Sequence, residues 1–175
     1  DVLPKFDGYA GDIARMRLAG DIEDLDPELL NMYNATVEMN REAVGMAKAG
    51  VSPKQLNERT VEVAEDYGVA GHKIELIGHA LGLDIHDIPD YFWDDRPLLA
   101  GETITIEPCL LLAGKGGTRI EDVILIQEDD DDSRIRVLIP DGARHQSFDR
   151  KSEHLTRWEN GALKVETWHD GGLHV

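Results

Sequence analysis

Four carboxylates and one imidazole stand where they could hold metal: Asp1, Asp12, His79, Glu107 and Glu121. His79, Glu107 and Glu121 fall within one stretch, 77–121, on short apolar segments of strand-like composition. Divalent ions of intermediate hardness take carboxylate and imidazole ligands, and manganese, cobalt, iron and zinc all suit such a set. Two ions side by side need bridging carboxylates to offset their mutual repulsion. A water shared between them gives up a proton near neutral pH and becomes a nucleophile. A nearby carboxylate can take that proton and pass it to a leaving amine. Four carboxylates and one histidine meet that requirement, which is that of a dinuclear metal-dependent hydrolase. No single residue is diagnostic: a lone histidine is more often structural, and a lone glutamate is more often a salt-bridge partner.

The elements that must position these groups can be read in part. Phe6-Asp7-Gly8-Tyr9 is a turn signal and predicts a β-hairpin over Asp1–Arg17, with Asp1 on the first strand and Asp12 on the second. Asp26-Pro27-Glu28 starts a helix, with Asp26 as cap. Leu30, Tyr33, Val37, Val44 and Ala47 supply its predicted buried stripe, and Gly50 is placed to end it. Met32, Met39 and Met46 are expected to pack rather than to bind metal. Ser52 and Gln55 have the spacing of a capping box, opening a second helix with Leu56, Val63 and Tyr67 inward and Gly68 as its stop. Both helices are expected to cover the site and carry no chemistry.

From Gly71 onward short apolar runs alternate with glycine, and Ile74–Ile77, Glu102–Cys109 and Arg119–Gln127 are the strand candidates. Pro89–Pro97 is predicted to be a loop with exposed aromatics, and Glu128–Asp132 a solvated acidic loop. Beyond it, Ile135–Ile139 and Ala162–Glu166 are predicted strands, with Arg157–Gly161 a turn into the second. His145, His154, His169 and His174 are scattered without ligand spacing.

The composition narrows the class of partner. The chain has 175 residues, 41% of them hydrophobic, and a net charge of −17. Such acidity repels phosphate backbones and anionic lipid surfaces, so neither nucleic acid nor a membrane is expected as a partner. No apolar run approaches the ~20 residues needed to cross a bilayer. The single cysteine, Cys109, excludes an intrachain disulfide and fits a reducing, cytoplasmic setting. The acidic start gives no sign of a signal peptide. Asp1-Val2-Leu3 has the look of a strand interior, so the chain is expected to be processed, truncated or one piece of a larger assembly.

The ordered pattern is more specific than its parts. Gly11-Asp12, Gly78-His79-Ala80-Leu81-Gly82-Leu83, His86-Asp87-Ile88-Pro89, Thr105-Ile106-Glu107-Pro108 and Arg119-Ile120-Glu121-Asp122 together resemble the pita-bread metallopeptidases. That family includes methionine aminopeptidase, Xaa-Pro aminopeptidase, prolidase and creatinase. The resemblance covers about residues 1–127 and is nearer the Xaa-Pro branch. It implies an α+β fold: the C-terminal part of a pita-bread domain over 1–127, with an acidic loop and a β-rich extension over 128–175.

The resemblance also implies roles. Asp12 and Glu121 would bridge two divalent metal ions (Mn, Co, Fe or Zn). Asp1 would complete one ion; His79 and Glu107 would complete the other. Glu107 would be the catalytic proton shuttle for a metal-bridging hydroxide. His86 would bind substrate and steady the tetrahedral intermediate. Arg119 would orient carboxylates or substrate.

The implied activity is hydrolysis of an amide bond in a peptide or peptide-like small molecule, as in an Xaa-Pro aminopeptidase or dipeptidase. Two alternatives stay open: a non-peptidase hydrolase or lyase on the same scaffold, creatinase-like or ectoine-hydrolase-like, and a metal-free module that binds peptides or proteins.

Three departures stand out. The family's first half-domain is missing before Asp1, which predicts a second chain or a cleaved N-terminal segment, and an oligomer. Glu75 stands four positions before His79, where the Xaa-Pro branch usually has histidine. Cys109 follows Glu107-Pro108 where glycine is common, and is expected to be a buried packing residue.

Overall fold

A computed structural model describes residues 3–89 and 95–126, and the backbone of five later strands between 136 and 174. The expectations for Asp1, for the aromatic stretch Asp90–Asp94 and for Gln127–Asp132 lie outside the described residues. The chain divides into two compact units, Asp1–Val137 and Leu138–Val175.

The first unit opens on a hairpin of β1 (Lys5–Phe6) and β2 (Tyr9–Ala10). Asp7 and Gly8 both take positive φ, 49° and 90°, as a two-residue turn with the twist of its strands requires. Asp12 is not on the second strand, as expected from sequence, but beyond it. Gly11 turns back to donate to the Pro4 carbonyl at 2.7 Å. The segment then pairs through Ala14 with Glu121, far along the chain.

Helix α1 (Pro27–Met46) starts where the Asp26 carboxylate accepts from the Glu28 amide at 2.9 Å. Its buried face is Met32, Ala35, Thr36, Met39, Asn40, Ala43 and Val44. Leu30, Tyr33 and Val37 are only half-buried, so the predicted stripe is turned part of the way around the helix. Small residues face inward because α1 lies close on the sheet: Thr36 Oγ1 meets Thr118 Oγ1 at 2.6 Å. The helix ends at Met46, ahead of Gly50, which sits in the following turn at φ 89°.

Helix α2 (Pro53–Asp66) has both bonds of its capping box: Gln55 N–H donates to Ser52 Oγ, and Ser52 N–H donates to Gln55 Oε1. Gly68, at φ 69°, follows its end. Tyr67, expected inward, is 37% exposed. Met32, Ala35 and Met39 of α1 pack with Val63 and Ala64 of α2 and with Val69 and Leu110.

Each of the two long predicted strands is broken in two. Glu102–Cys109 becomes β3 (Thr103–Ile106) and β4 (Cys109–Leu112). Arg119–Gln127 becomes β5 (Gly116–Arg119) and β6 (Asp122–Leu125). Pro108 explains the first break, because it has no N–H to give a ladder. β3 and β6 pair antiparallel, Ile106 opposite Asp122, and β7 (Arg136–Val137) adds to β6. β4 and β5 form their own hairpin.

Ile74–Ile77 is not a strand. Instead the neighbouring segment 77–81 runs antiparallel beside β3: Glu107 N–H donates to the Ile77 carbonyl, Thr105 N–H to His79, and Leu81 N–H to Thr103. Gly78 permits that approach, since a Cβ there would sit 1.9 Å from the Thr105 carbonyl oxygen.

The second unit is an antiparallel sheet of β8 (Arg144–Phe148), β9 (Glu153–Glu159), β10 (Ala162–His169) and β11 (Gly172–His174), in the order β11-β10-β9-β8. Arg157, Trp158 and Glu159 belong to β9 rather than to a turn. Among the described residues no helix is long and apolar enough to cross a membrane.

Candidate metal centre

The strand breaks are where the acids sit. Glu107 follows β3 and Glu121 precedes β6, so both leave the ladder at one end of the same strand pair. Asp12 arrives from the segment that pairs with Glu121: the Glu121 amide donates to the Ala14 carbonyl at 3.1 Å. His79 comes from the segment on the other side of β3. Asp12, His79 and Glu121 each offer a ligand atom, all within 4.8 Å of one another. All four side chains are buried, from 1% exposed at Glu121 to 5% at Asp12 and His79.

His79 is held on three sides. Its amide donates to Thr105 Oγ1 at 3.0 Å, and its carbonyl accepts from Thr105 N–H at 2.8 Å. Its ring Nδ1 lies 3.0 Å from the Ala80 carbonyl. A carbonyl oxygen only accepts, so Nδ1 donates to it and Nε2 is the ring nitrogen turned to the acids. Nε2 faces Glu107 Oε1 at 3.3 Å and Asp12 Oδ2 at 3.7 Å. Thr105 Oγ1 also donates to Glu107 Oε1, at 3.4 Å.

The carboxylates of the cluster are short of donors. Asp12 Oδ1, Glu121 Oε1 and Glu121 Oε2 are buried with no hydrogen-bond donor among the described residues. Orphaned buried oxygens are costly, and a proton or a cation is what such a group lacks. Burial first, then the charges of Glu107 and Asp12, push Glu121 up to about 8. Burial likewise raises Glu107, with His79 and Arg119 pulling the other way. The donor set, three carboxylates and one imidazole nitrogen, fits a divalent cation of intermediate hardness.

His86 is exposed at the rim, and its ring stacks on that of His79 with centroids 4.0 Å apart. The Asp87 carboxylate builds the loop that holds it, accepting from the amides of Leu83 at 3.0 Å and Ile88 at 2.8 Å. These bonds keep Asp87 below the usual carboxylate range. Gly82 leaves room for that carboxylate, since a Cβ there would meet Asp87 Oδ2 at 2.4 Å. Arg119 pairs with Glu107 through Nη1 and Oε2 at 3.1 Å.

Cys109, opposite Arg119 on the β4–β5 hairpin, is half-buried rather than buried as expected. Glu75 is exposed. Thr105, Asp87, Arg15 and Asp122 were not singled out for the site by their types alone. Thr105, Asp87 and Asp122 lie inside the motif stretches, and that adjacency was the available signal.

The chain matches the model of Metallopeptidase family M24 over residues 1–128. It is 34% identical to an Xaa-Pro dipeptidase of Pyrococcus furiosus over 129 residues, 73% of this chain and 36% of the relative. An Xaa-Pro dipeptidase of Pyrococcus horikoshii is 32% identical over 127 residues. Among solved structures, an X-Pro aminopeptidase from Thermotoga maritima superposes with a TM-score of 0.69 at 28% identity, over 78% of this chain and 37% of that one. The prolidase from Pyrococcus furiosus gives 0.67 at 32% identity, over 76% and 38%. The chain thus spans about a third of the length of the relatives it matches, and its first unit has the fold of part of a pita-bread domain. The chain belongs to metallopeptidase family M24.

Proposed function

We propose that residues 1–127 are the metal-binding half of a dinuclear hydrolase that cleaves an amide bond in peptides or peptide-like small molecules, with Xaa-Pro dipeptides as the first substrate class to test. The observation that carries the reading is the buried cluster of Asp12, His79, Glu107 and Glu121, with the Asp12 and Glu121 oxygens lacking donors among the described residues. Asp1, Asp12, His79, Glu107 and Glu121 would hold the divalent cations. Bound there, the cations supply positive charge that polarises an amide carbonyl and acidifies a water.

The chain's own groups do the rest. Glu107 takes the proton of the attacking water and returns it to the leaving amine. Thr105 and Arg119 hold its two oxygens in place. His86, stacked on His79 at the rim, donates a hydrogen bond to the carbonyl oxygen as negative charge develops on it.

The rest of the substrate pocket is supplied by a second polypeptide or an N-terminal segment, in keeping with a chain that spans about a third of the length of its relatives. The single cysteine and the −17 charge fit a cytoplasmic enzyme acting on small substrates.

The test is metal content and hydrolysis by the full-length protein on X-Pro dipeptides, Met-peptides and small N-substituted amino acids. Two equivalents of cation and turnover of the X-Pro set are expected. Glu107→Gln should lower kcat by about 10²-fold or more, and His86→Ala by about 10²-fold with cation content unchanged. Absence of bound cation after incubation with Mn²⁺ or Co²⁺ would refute the reading. Turnover of only the N-substituted amino acids would move it to a creatinase-like reaction.

A further inference from the structure

A second set of charges lies behind the acids. Successive residues of a strand point to opposite faces. Continued one residue beyond β3 and β6, that alternation puts Glu107 and Glu121 on one face and Ile106 and Asp122 on the other. The rear face holds Asp122, 1% exposed, and Asn40 of α1, 6% exposed. Arg15, three positions after Asp12 on its extended segment, leaves that segment on the side away from the Asp12 carboxylate.

The contacts on this face are specific. Arg15 Nη2 donates to Asp122 Oδ1. Arg15 Nη1 donates to the Glu121 carbonyl at 2.6 Å and to the Ala14 carbonyl at 2.8 Å. Asn40 Nδ2 donates to the carbonyl of Ile106, the residue opposite Asp122, at 3.1 Å. One guanidinium therefore spans the segment carrying Asp12 and the strand carrying Glu121. One amide ties α1 to the carbonyl just ahead of Glu107.

We infer that Arg15, Asp122 and Asn40 are positioning residues: a buried polar brace behind the sheet that sets the spacing of the Asp12, Glu121 and Glu107 carboxylates and thereby their affinity for cations. The inference rests on the metal reading of the front face. It differs from a purely stabilising role in one respect. A buried ion pair replaced by apolar residues of similar volume often costs no stability, so stability and carboxylate spacing can be separated.

The experiment is a Co²⁺ titration of the full-length protein, followed by visible absorption, beside a thermal melt. Arg15→Gln should bind Co²⁺ some 10–100-fold more weakly, with a changed absorption spectrum. Arg15→Lys should fall between, because a lysine reaches Asp122 or the Glu121 carbonyl but lacks the fork that holds both. Should Arg15→Gln fail to fold, the pair Arg15→Met with Asp122→Leu restores an apolar contact, and the same weakening is expected in it.

A folded variant of either kind with the parent's Co²⁺ affinity and spectrum overturns the brace while leaving the metal centre standing. A parent that takes up no Co²⁺ overturns both.

Discussion

Protons and cations compete for the same buried oxygens, and the competition has a sign that can be measured. Glu121 ordinarily titrates near 4.5 and is pushed up to about 8 in the fold. Between those values the folded chain holds a proton that the unfolded chain has released. Raising the pH through that window therefore favours unfolding in the absence of cation. The gap corresponds to an upper figure of about 5 kcal/mol at ~1.36 kcal/mol per unit.

At about 2–4 °C per kcal/mol, the melting temperature in chelator should fall by roughly 10–20 °C from pH 5 to pH 8. Glu107 and Asp122, both raised chiefly by burial, act in the same direction. Lys73, lowered by burial to about 8, acts mainly above the window.

Saturating Mn²⁺ replaces the proton by a cation that binds more tightly as the carboxylates ionise, so the decline should flatten or reverse. The assay is scanning calorimetry from pH 5 to 8 in EDTA and in Mn²⁺, with Glu121→Gln expected to lose most of the slope seen in EDTA. A melting temperature in EDTA that is level or rises across that range would refute the argument, as would the same profile with and without Mn²⁺.

Two further outcomes follow from local geometry. Ser52→Ala removes one half of the α2 capping box and should cost about 1 kcal/mol in urea denaturation without changing cation content. Gly78→Ala places a methyl group 1.9 Å from the Thr105 carbonyl oxygen. It should prise segment 77–81 off β3, carry His79 away from Glu107 and abolish stoichiometric Co²⁺ binding; retention of the parent's Co²⁺ affinity would contradict the close approach.

What could be read from the sequence follows from how local each signal is. Asp26 with Pro27, and Ser52 with Gln55, cap within a single turn, so both helix starts were visible. Asp12, His79, Glu107 and Glu121 stood out because acids and a histidine interrupt apolar runs, and in the fold those interruptions are the ends of paired strands. Val44 and Ala47 of the predicted α1 stripe are buried, but Leu30, Tyr33 and Val37 are only half-buried, because the contact with the sheet also takes small and polar residues. Thr36 reaches Thr118, and Asn40 reaches the Ile106 carbonyl, where periodicity alone favours Leu30 and Tyr33. Segment 77–81 was assigned its strand too early because Gly78, which reads as a breaker, is what lets the backbone pair. Arg15 and Glu121 are 106 positions apart, and nothing local announces that they meet.

That last separation bears on how the protein is made. The helical pair and the short hairpins join residues close in sequence, and such contacts form early. The pairing of Ala14 with Glu121 closes nearly the whole first unit. A chain leaving the ribosome exposes Asp12 and His79 well before Glu121 has been synthesised, at the ~5–20 residues per second of translation. During that interval the nascent chain offers a cation only scattered, solvated side chains. The centre is completed only when Asp12 and Glu121 are brought together, so a tightly held ion would mark a chain whose Ala14–Glu121 pairing has already formed.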